Sequence, residues 1–145
     1  MCKILVADDE PDVLIALQHR LEREGFPVTI ARSEEEAKEV IATAEPSFDI
    51  IVTDMVMESD QSGVEVLKAA FARDLFAEVI VLTAYGNVQN AVECMKRGAF
   101  DYVEKNIPGV DVFDLLVLKI QQAVEHRRDT VDILRRLAAA GGATP

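Results

Sequence analysis

Five short, uninterrupted apolar runs recur along this chain: Ile4 to Ala7, Val28 to Ala31, Ile50 to Thr53, Val79 to Leu82 and Tyr102 to Val103. A stretch of helical periodicity separates each run from the next. A strand with one wet face alternates apolar and polar residues, so runs without alternation call for strands covered on both faces. The intervening segments carry helix boundary signals. Pro11 suits a first helical position with Gly25 past the end, Ser33 with Glu36 and Ser62 with Glu65 have capping-box spacing, and Gly98 closes another helix.

Strand and helix in strict alternation, joined by right-handed crossovers, predict an α/β fold with a doubly wound parallel sheet. The flavodoxin-like order 2-1-3-4-5 is the common choice for five strands. At 145 residues, half of them hydrophobic, the chain holds one full domain. We assign residues 1–125 to that domain and 126–145 to a helical extension and flexible tail.

In such sheets ligands bind beyond the carboxyl ends of the strands, where the strand order reverses. The residues with chemical potential fall there: Asp8 and Asp9 after strand one, Asp54 after strand three, Thr83 after strand four and Lys105 after strand five. Strand two, ending near Arg32, supplies nothing comparable, as its outer position in this order requires. Each residue alone has an ordinary reading: Asp8 or Asp9 as a helix cap, Asp54 as a turn residue, Thr83 as a strand residue, Lys105 as a solvated cation. Their joint placement on four strand ends favours a site.

Two like charges ~4 Å apart cost about 4 kcal/mol at an effective dielectric near 20, so these carboxylates call for a cation, and oxygen-only ligands suit Mg2+. Within such a cradle Asp54 is the candidate nucleophile, able to form an acyl phosphate. Asp9 and Asp54 would hold the metal, Lys105 would supply a cation and Thr83 a hydrogen bond to phosphoryl oxygens.

A net charge of -11 disfavours non-specific contact with nucleic acid or anionic membrane. Cys2 and Cys94 have no metal-ligand spacing and suggest no disulfide framework, which fits a reducing compartment. No run reaches the length of a membrane span, and the first apolar stretch is too brief for a signal peptide, so we expect a cytoplasmic protein.

Taken together, Asp8-Asp9, Asp54 with Met57, the run Thr83-Ala84-Tyr85-Gly86, and Gly98-Ala99-Phe100-Asp101-Tyr102 leading to Lys105 resemble the receiver domains of two-component response regulators. The likeness covers about residues 3 to 125, and Thr83 to Lys105 is most similar to receivers of the nitrogen-regulation type, which precede enhancer-binding ATPase domains. The resemblance implies that Asp54 is the phosphoacceptor, Asp9 a direct Mg2+ ligand, Asp8 a water-mediated one and the Val56 backbone carbonyl a further ligand. It makes Thr83 and Lys105 the contacts to phosphate and Tyr102 the aromatic switch residue. It also implies a histidine kinase or phosphotransfer protein as donor, and output through the face of helix four, strand five and helix five to an output domain or downstream protein. Tyr85, Asn87, Cys94 and Tyr102 would respond there.

The chain departs from the family pattern in three places. Asn106 follows Lys105 where a proline is usual, Glu58 replaces a proline in the loop after Asp54, and Gly63 comes one residue late. We expect Glu58 to face water. Val56 and Tyr85 hold positions that tune phosphoryl lifetime in the family, and neither can orient an attacking water, so slow self-dephosphorylation is expected.

From Asp111 a helical pattern runs to about Ala138, with Phe113, Val117, Ile120, Val124, Val131, Leu134 and Ala138 on a heptad seam interrupted by Arg127. Its second half would extend into solvent, lead to an output domain or pair with a second copy of the chain. Gly141 to Pro145 reads as a frayed end or linker.

The leading function is thus a phosphorylation-controlled switch, a signalling domain and not a turnover enzyme. An interaction module that no longer takes phosphate is one alternative. A Mg2+-dependent aspartyl-phosphate phosphatase is a weaker one, since Val56 stands where such enzymes of the haloacid-dehalogenase type want a second acid. A flavodoxin-like cofactor binder would need a hydroxyl- or glycine-rich loop in place of Asp8-Asp9-Glu10.

Overall fold

A computed structural model describes residues 2–142. Five parallel strands, β1 (Ile4–Ala7), β2 (Val28–Ala31), β3 (Ile50–Asp54), β4 (Glu78–Ala84) and β5 (Asp101–Lys105), form one sheet in the order β2-β1-β3-β4-β5. They alternate with α1 (Pro11–Arg23), α2 (Glu34–Thr43), α3 (Ser62–Arg73), α4 (Val88–Lys96) and α5 (Val112–Gly142). This is the flavodoxin-like doubly wound arrangement expected from the apolar runs.

Side chains of successive strand residues point to opposite faces, and both faces are apolar, so two cores result. Ile4, Val6, Ile50, Val52, Ile80, Leu82 and Val103 pack with Leu14, Leu17 and Leu21 of α1 and Leu116 and Ile120 of α5. The alternate residues, Leu5, Ile51, Val79 and Val81 among them, pack with Ala37 and Ile41 of α2, Val64 and Leu67 of α3 and Cys94 of α4. Strand β2 differs from the expectation of two covered faces. Val28, Thr29 and Ile30 are only half-buried, because an edge strand has a neighbour on one side alone.

Helix starts follow the local chemistry in two cases of three. Pro11 opens α1, and the Ser33 hydroxyl accepts the Glu36 N–H at 3.0 Å as the cap of α2. Ser62 does not cap α3. It is wholly buried inside the first turn and its Oγ accepts the Ser59 N–H, while Gln61 takes the cap position. The cause is the next residue, Gly63, whose backbone sits so close to β3 that an added Cβ would lie 2.9 Å from Met55 Cα.

Helix α5 continues to Gly142, past the expected end near Ala138. The expected tail lies in part, at residues 143–145, outside the described residues. Arg127, the break in the heptad seam, is where α5 is fastened to the domain. Its Nε donates to Asp49 Oδ1 at 2.7 Å, Nη2 to Asp74 Oδ2 at 3.0 Å and Nη1 to the Phe76 carbonyl at 2.6 Å. Beside it the His126 Nδ1 lies 2.6 Å from Glu78 Oε1 and the ring packs on Phe100. These contacts grip the amino-terminal edge of the sheet, opposite the acidic cluster. Both cysteines are free thiols, and burial pushes each up to about 11. No described helix is long and apolar enough to cross a membrane.

Candidate functional site

At the carboxyl edge of the sheet the chain leaves β1 into Asp8, ends β3 on Asp54 and ends β5 on Lys105. Because β1 and β3 are neighbours whose following helices lie on opposite faces, the two acidic loops diverge and leave a cleft between them.

Asp8, Asp9, Glu10 and Asp54 can each place a carboxylate oxygen within 4.8 Å of the others. Asp8 is wholly buried and Asp54 nearly so, whereas Asp9 and Glu10 face solvent. Asp8 is held from both sides: Oδ1 accepts the Glu10 N–H at 2.9 Å and Oδ2 accepts from Lys105 Nζ at 2.8 Å. The same ammonium reaches Asp54 Oδ2 at 3.1 Å and Glu10 Oε1 at 3.4 Å. Glu10 joins this cluster although it is not among the residues expected at the strand ends. The run Asp8-Asp9-Glu10 was the available signal, but the residue follows the strand end by several positions and only the turn before α1 folds it back.

Burial lifts the Asp54 carboxyl to about 6, with the Asp8 charge adding to the rise and Lys105 opposing it. Burial alone would depress the Lys105 ammonium, yet the carboxylates of Asp8 and Asp54 outweigh it and hold Lys105 above the usual lysine range. A carboxylate that is costly to ionise beside a fixed ammonium is poised to accept an electrophile or share a cation. All available donors are oxygens on at least three chain positions, and this set fits Mg2+.

Lys105 reaches the site without the usual proline. The Lys105–Asn106 peptide is not cis; Asn106 instead adopts φ 60°, a left-handed conformation that asparagine accepts more readily than most residues. Thr83 is buried at the end of β4, but its hydroxyl donates to the Asn87 carbonyl at 2.9 Å, tying β4 to the start of α4. Tyr102 is half-buried against the core that includes Cys94. Tyr85 and Val56 are exposed. Cys94 lies inside that core, with Sγ 3.8 Å from Met55 Sδ, and not on the surface of α4. Glu58 is solvent-exposed as expected, but it is not merely solvated: its carboxylate accepts the Glu34 N–H at 2.6 Å.

Residues 4–117 match the family model of the response regulator receiver domain. PilR, a response regulator protein of Pseudomonas aeruginosa, is 37% identical over 105 residues, which are 72% of this chain and 23% of PilR. The crystal structure of a response regulator receiver domain protein from Clostridium thermocellum superposes with a TM-score of 0.77 at 32% identity, covering 88% of this chain and 98% of that one. NtrX from Brucella abortus superposes with a TM-score of 0.78 at 26% identity, over 90% of this chain and 28% of NtrX. This chain therefore spans about a quarter of the regulators PilR and NtrX.

Proposed function

Because this chain belongs to the response regulator receiver domains of two-component systems, we propose that it is a phosphorylation-controlled switch with Asp54 as the phosphoacceptor. Receiver domains are signalling domains and not classical turnover enzymes. The observation that carries the reading is the convergence of Asp8, Asp54 and Lys105 from three strand ends on one point, with Asp9 and Glu10 on its rim.

The donor is a phosphohistidine of a kinase or phosphotransfer protein. An Asp54 carboxylate oxygen attacks the phosphorus in line; the new O–P bond forms as the P–N bond breaks, and the imidazole nitrogen keeps the electron pair and takes a proton. Lys105, already 3.1 Å from Asp54, faces the negative charge of the transferring group. Asp9 and Asp54, Asp8 through water and the Val56 carbonyl would hold Mg2+, which would supply positive charge to the transferring group.

The acyl phosphate then draws the Thr83 hydroxyl away from the Asn87 carbonyl. Losing that tie frees the start of α4, and Tyr102 turns into the space that Thr83 leaves. Phosphorylation thereby biases the α4, β5 and α5 face toward its active arrangement, which an output domain or downstream protein reads. Residues 1–125 act as the switch in the cytoplasm, and residues 126–145 extend α5 toward that output or toward a second copy of the chain. Exposed Val56 and Tyr85 cannot activate water, so the phosphorylated state is long-lived.

Incubation of the 145-residue chain with Mg2+ and acetyl phosphate, read by intact mass, tests this. Wild type should gain one phosphoryl group that persists for minutes or longer, and Asp54→Asn should gain none. Absence of uptake would favour an interaction module, sustained phosphate release would favour a phosphatase, and a half-life of seconds would refute the slow turnover.

A further inference from the structure

The loop between Asp54 and α3 is held by two different devices on its two sides. On the inner side Met55 and Met57 are buried, and the Gly63 N–H donates to the Met55 carbonyl at 2.9 Å. On the outer side Val56 is exposed, and the loop's outer anchor is Glu58. Its Oε1 accepts the N–H of Glu34 at 2.6 Å, across 24 residues of sequence, with Oε2 at 3.5 Å from the same nitrogen.

The donor is well suited to the task. Glu34 is the first residue of α2, and its N–H is one of the donors that a helix start leaves without an intrahelical partner. Ser33 satisfies one other, its hydroxyl taking the Glu36 N–H at 3.0 Å. A carboxylate also gains from the positive end of the helix dipole, although Glu34, Glu35 and Glu36 already crowd that turn. An anion brought into an acidic turn calls for a compensating contact, and the short charge-assisted bond provides it.

We propose that Glu58 is a positioning residue: bound to the Glu34 amide, it fixes the segment between Asp54 and Glu58 against α2 and so sets the Val56 carbonyl of the cation site. The assignment rests on the Mg2+ and phosphoacceptor reading above. The segment is short, with β3 fixing one end and α2 the other, so losing the second anchor lets Val56 move while the buried methionines keep the fold intact.

Four single variants of the 145-residue chain and one double variant test it. Glu58→Ala removes the acceptor; Glu58→Gln removes the charge but keeps an oxygen. Glu34→Pro removes the donor and leaves Glu58 charged. The proline fits, since it replaces the first helical residue and Ser33 before it is extended at φ −152° and ψ 163°. Glu34→Gln controls for the lost charge and for the loose pair with Lys38 at 3.8 Å.

Hydrogen exchange without metal or phosphoryl donor should quicken about tenfold at the amides of residues 56 to 60 in Glu58→Ala and in Glu34→Pro, the loss of one hydrogen bond. The two glutamine variants should stay within about threefold of wild type, and the Ala/Pro double variant should match either single one. The Mg2+ dissociation constant, read from thermal shifts, should rise about tenfold in the same two variants. The proposal is overturned if Glu34→Pro behaves as wild type, or if Glu58→Gln behaves as Glu58→Ala, which would make Glu58 a charge and not a tether. Failure of wild type to take phosphate from acetyl phosphate would instead overturn the phosphoacceptor reading, and the exchange pattern would stand.

Discussion

Lys105 Nζ lies 3.1 Å from Asp54 Oδ2, so the last residue of β5 neutralises the last residue of β3 across the intervening strand. Its second contact, 2.8 Å to Asp8, makes one ammonium the counter-ion of two buried carboxylates. Lys105 therefore shares Asp8 and Asp54 with any cation that enters the site.

Lys105→Met should destabilise the metal-free domain at pH 7.5 by about 2 to 3 kcal/mol, because it strands Asp8 and Asp54 as unpaired buried charges. The melting temperature should fall by roughly 5 to 10 °C, and millimolar Mg2+ should restore most of the loss. Unchanged melting without metal would contradict the role of Lys105 as counter-ion.

Asp54→Asn should stabilise the metal-free protein at neutral pH. Folded Asp54 titrates near 6 against 3.8 for the ordinary side chain, so the folded state keeps a proton that the unfolded chain has already released. Its stabilising contribution is present below about pH 4 and is lost as pH rises through 6. The variant escapes that loss; after screening by solvent the gain is about 1 to 2 kcal/mol at pH 7.5 and shrinks toward zero near pH 4. Urea titrations across that range check both the sign and the window.

Arg127→Leu should destabilise the chain by about 2 kcal/mol even though it completes the apolar heptad seam of α5. The guanidinium serves Asp49, Asp74 and the Phe76 carbonyl, and leucine leaves all three without it. Faster hydrogen exchange in α5 beyond residue 126 should accompany the loss. Greater stability in the variant would show that the seam outweighs the anchor.

Gly63→Ala should cost about 2 to 3 kcal/mol, since the added Cβ meets Met55 Cα and Sδ at 2.9 Å and the Asp54 carbonyl at 3.3 Å. Two of those atoms are backbone and cannot swing aside. Denaturant midpoints decide the matter, and a loss under about 0.5 kcal/mol would mean that the loop repacks.

Much of the site was legible because its residues sit at strand ends, and strand ends follow from where apolar runs stop. Asp8, Asp54 and Lys105 were readable in this way, as was the silence of β2. Glu10 was not, since its approach to the cluster depends on a turn in which the Asp8 side chain takes the Glu10 N–H. Nor was the Thr83 bond to Asn87, which depends on how the loop before α4 folds back. Ser62 misled because a serine with a glutamate three residues on looks the same whether its hydroxyl caps a helix or is buried beneath a loop.

The strands, the helices, their order and the edge at which the acidic residues gather were all readable from the chain before it folds. Those features rest on hydrophobic period and chain connectivity, which are properties of neighbouring residues. Which polar groups meet was settled by packing alone: Lys105 with Asp8 and Asp54, Glu58 with Glu34, Arg127 with Asp49 and Asp74. Such pairs join residues distant in the chain through flexible side chains. Their partners are fixed by the few ångströms of geometry that packing sets, and no periodicity in the sequence encodes them.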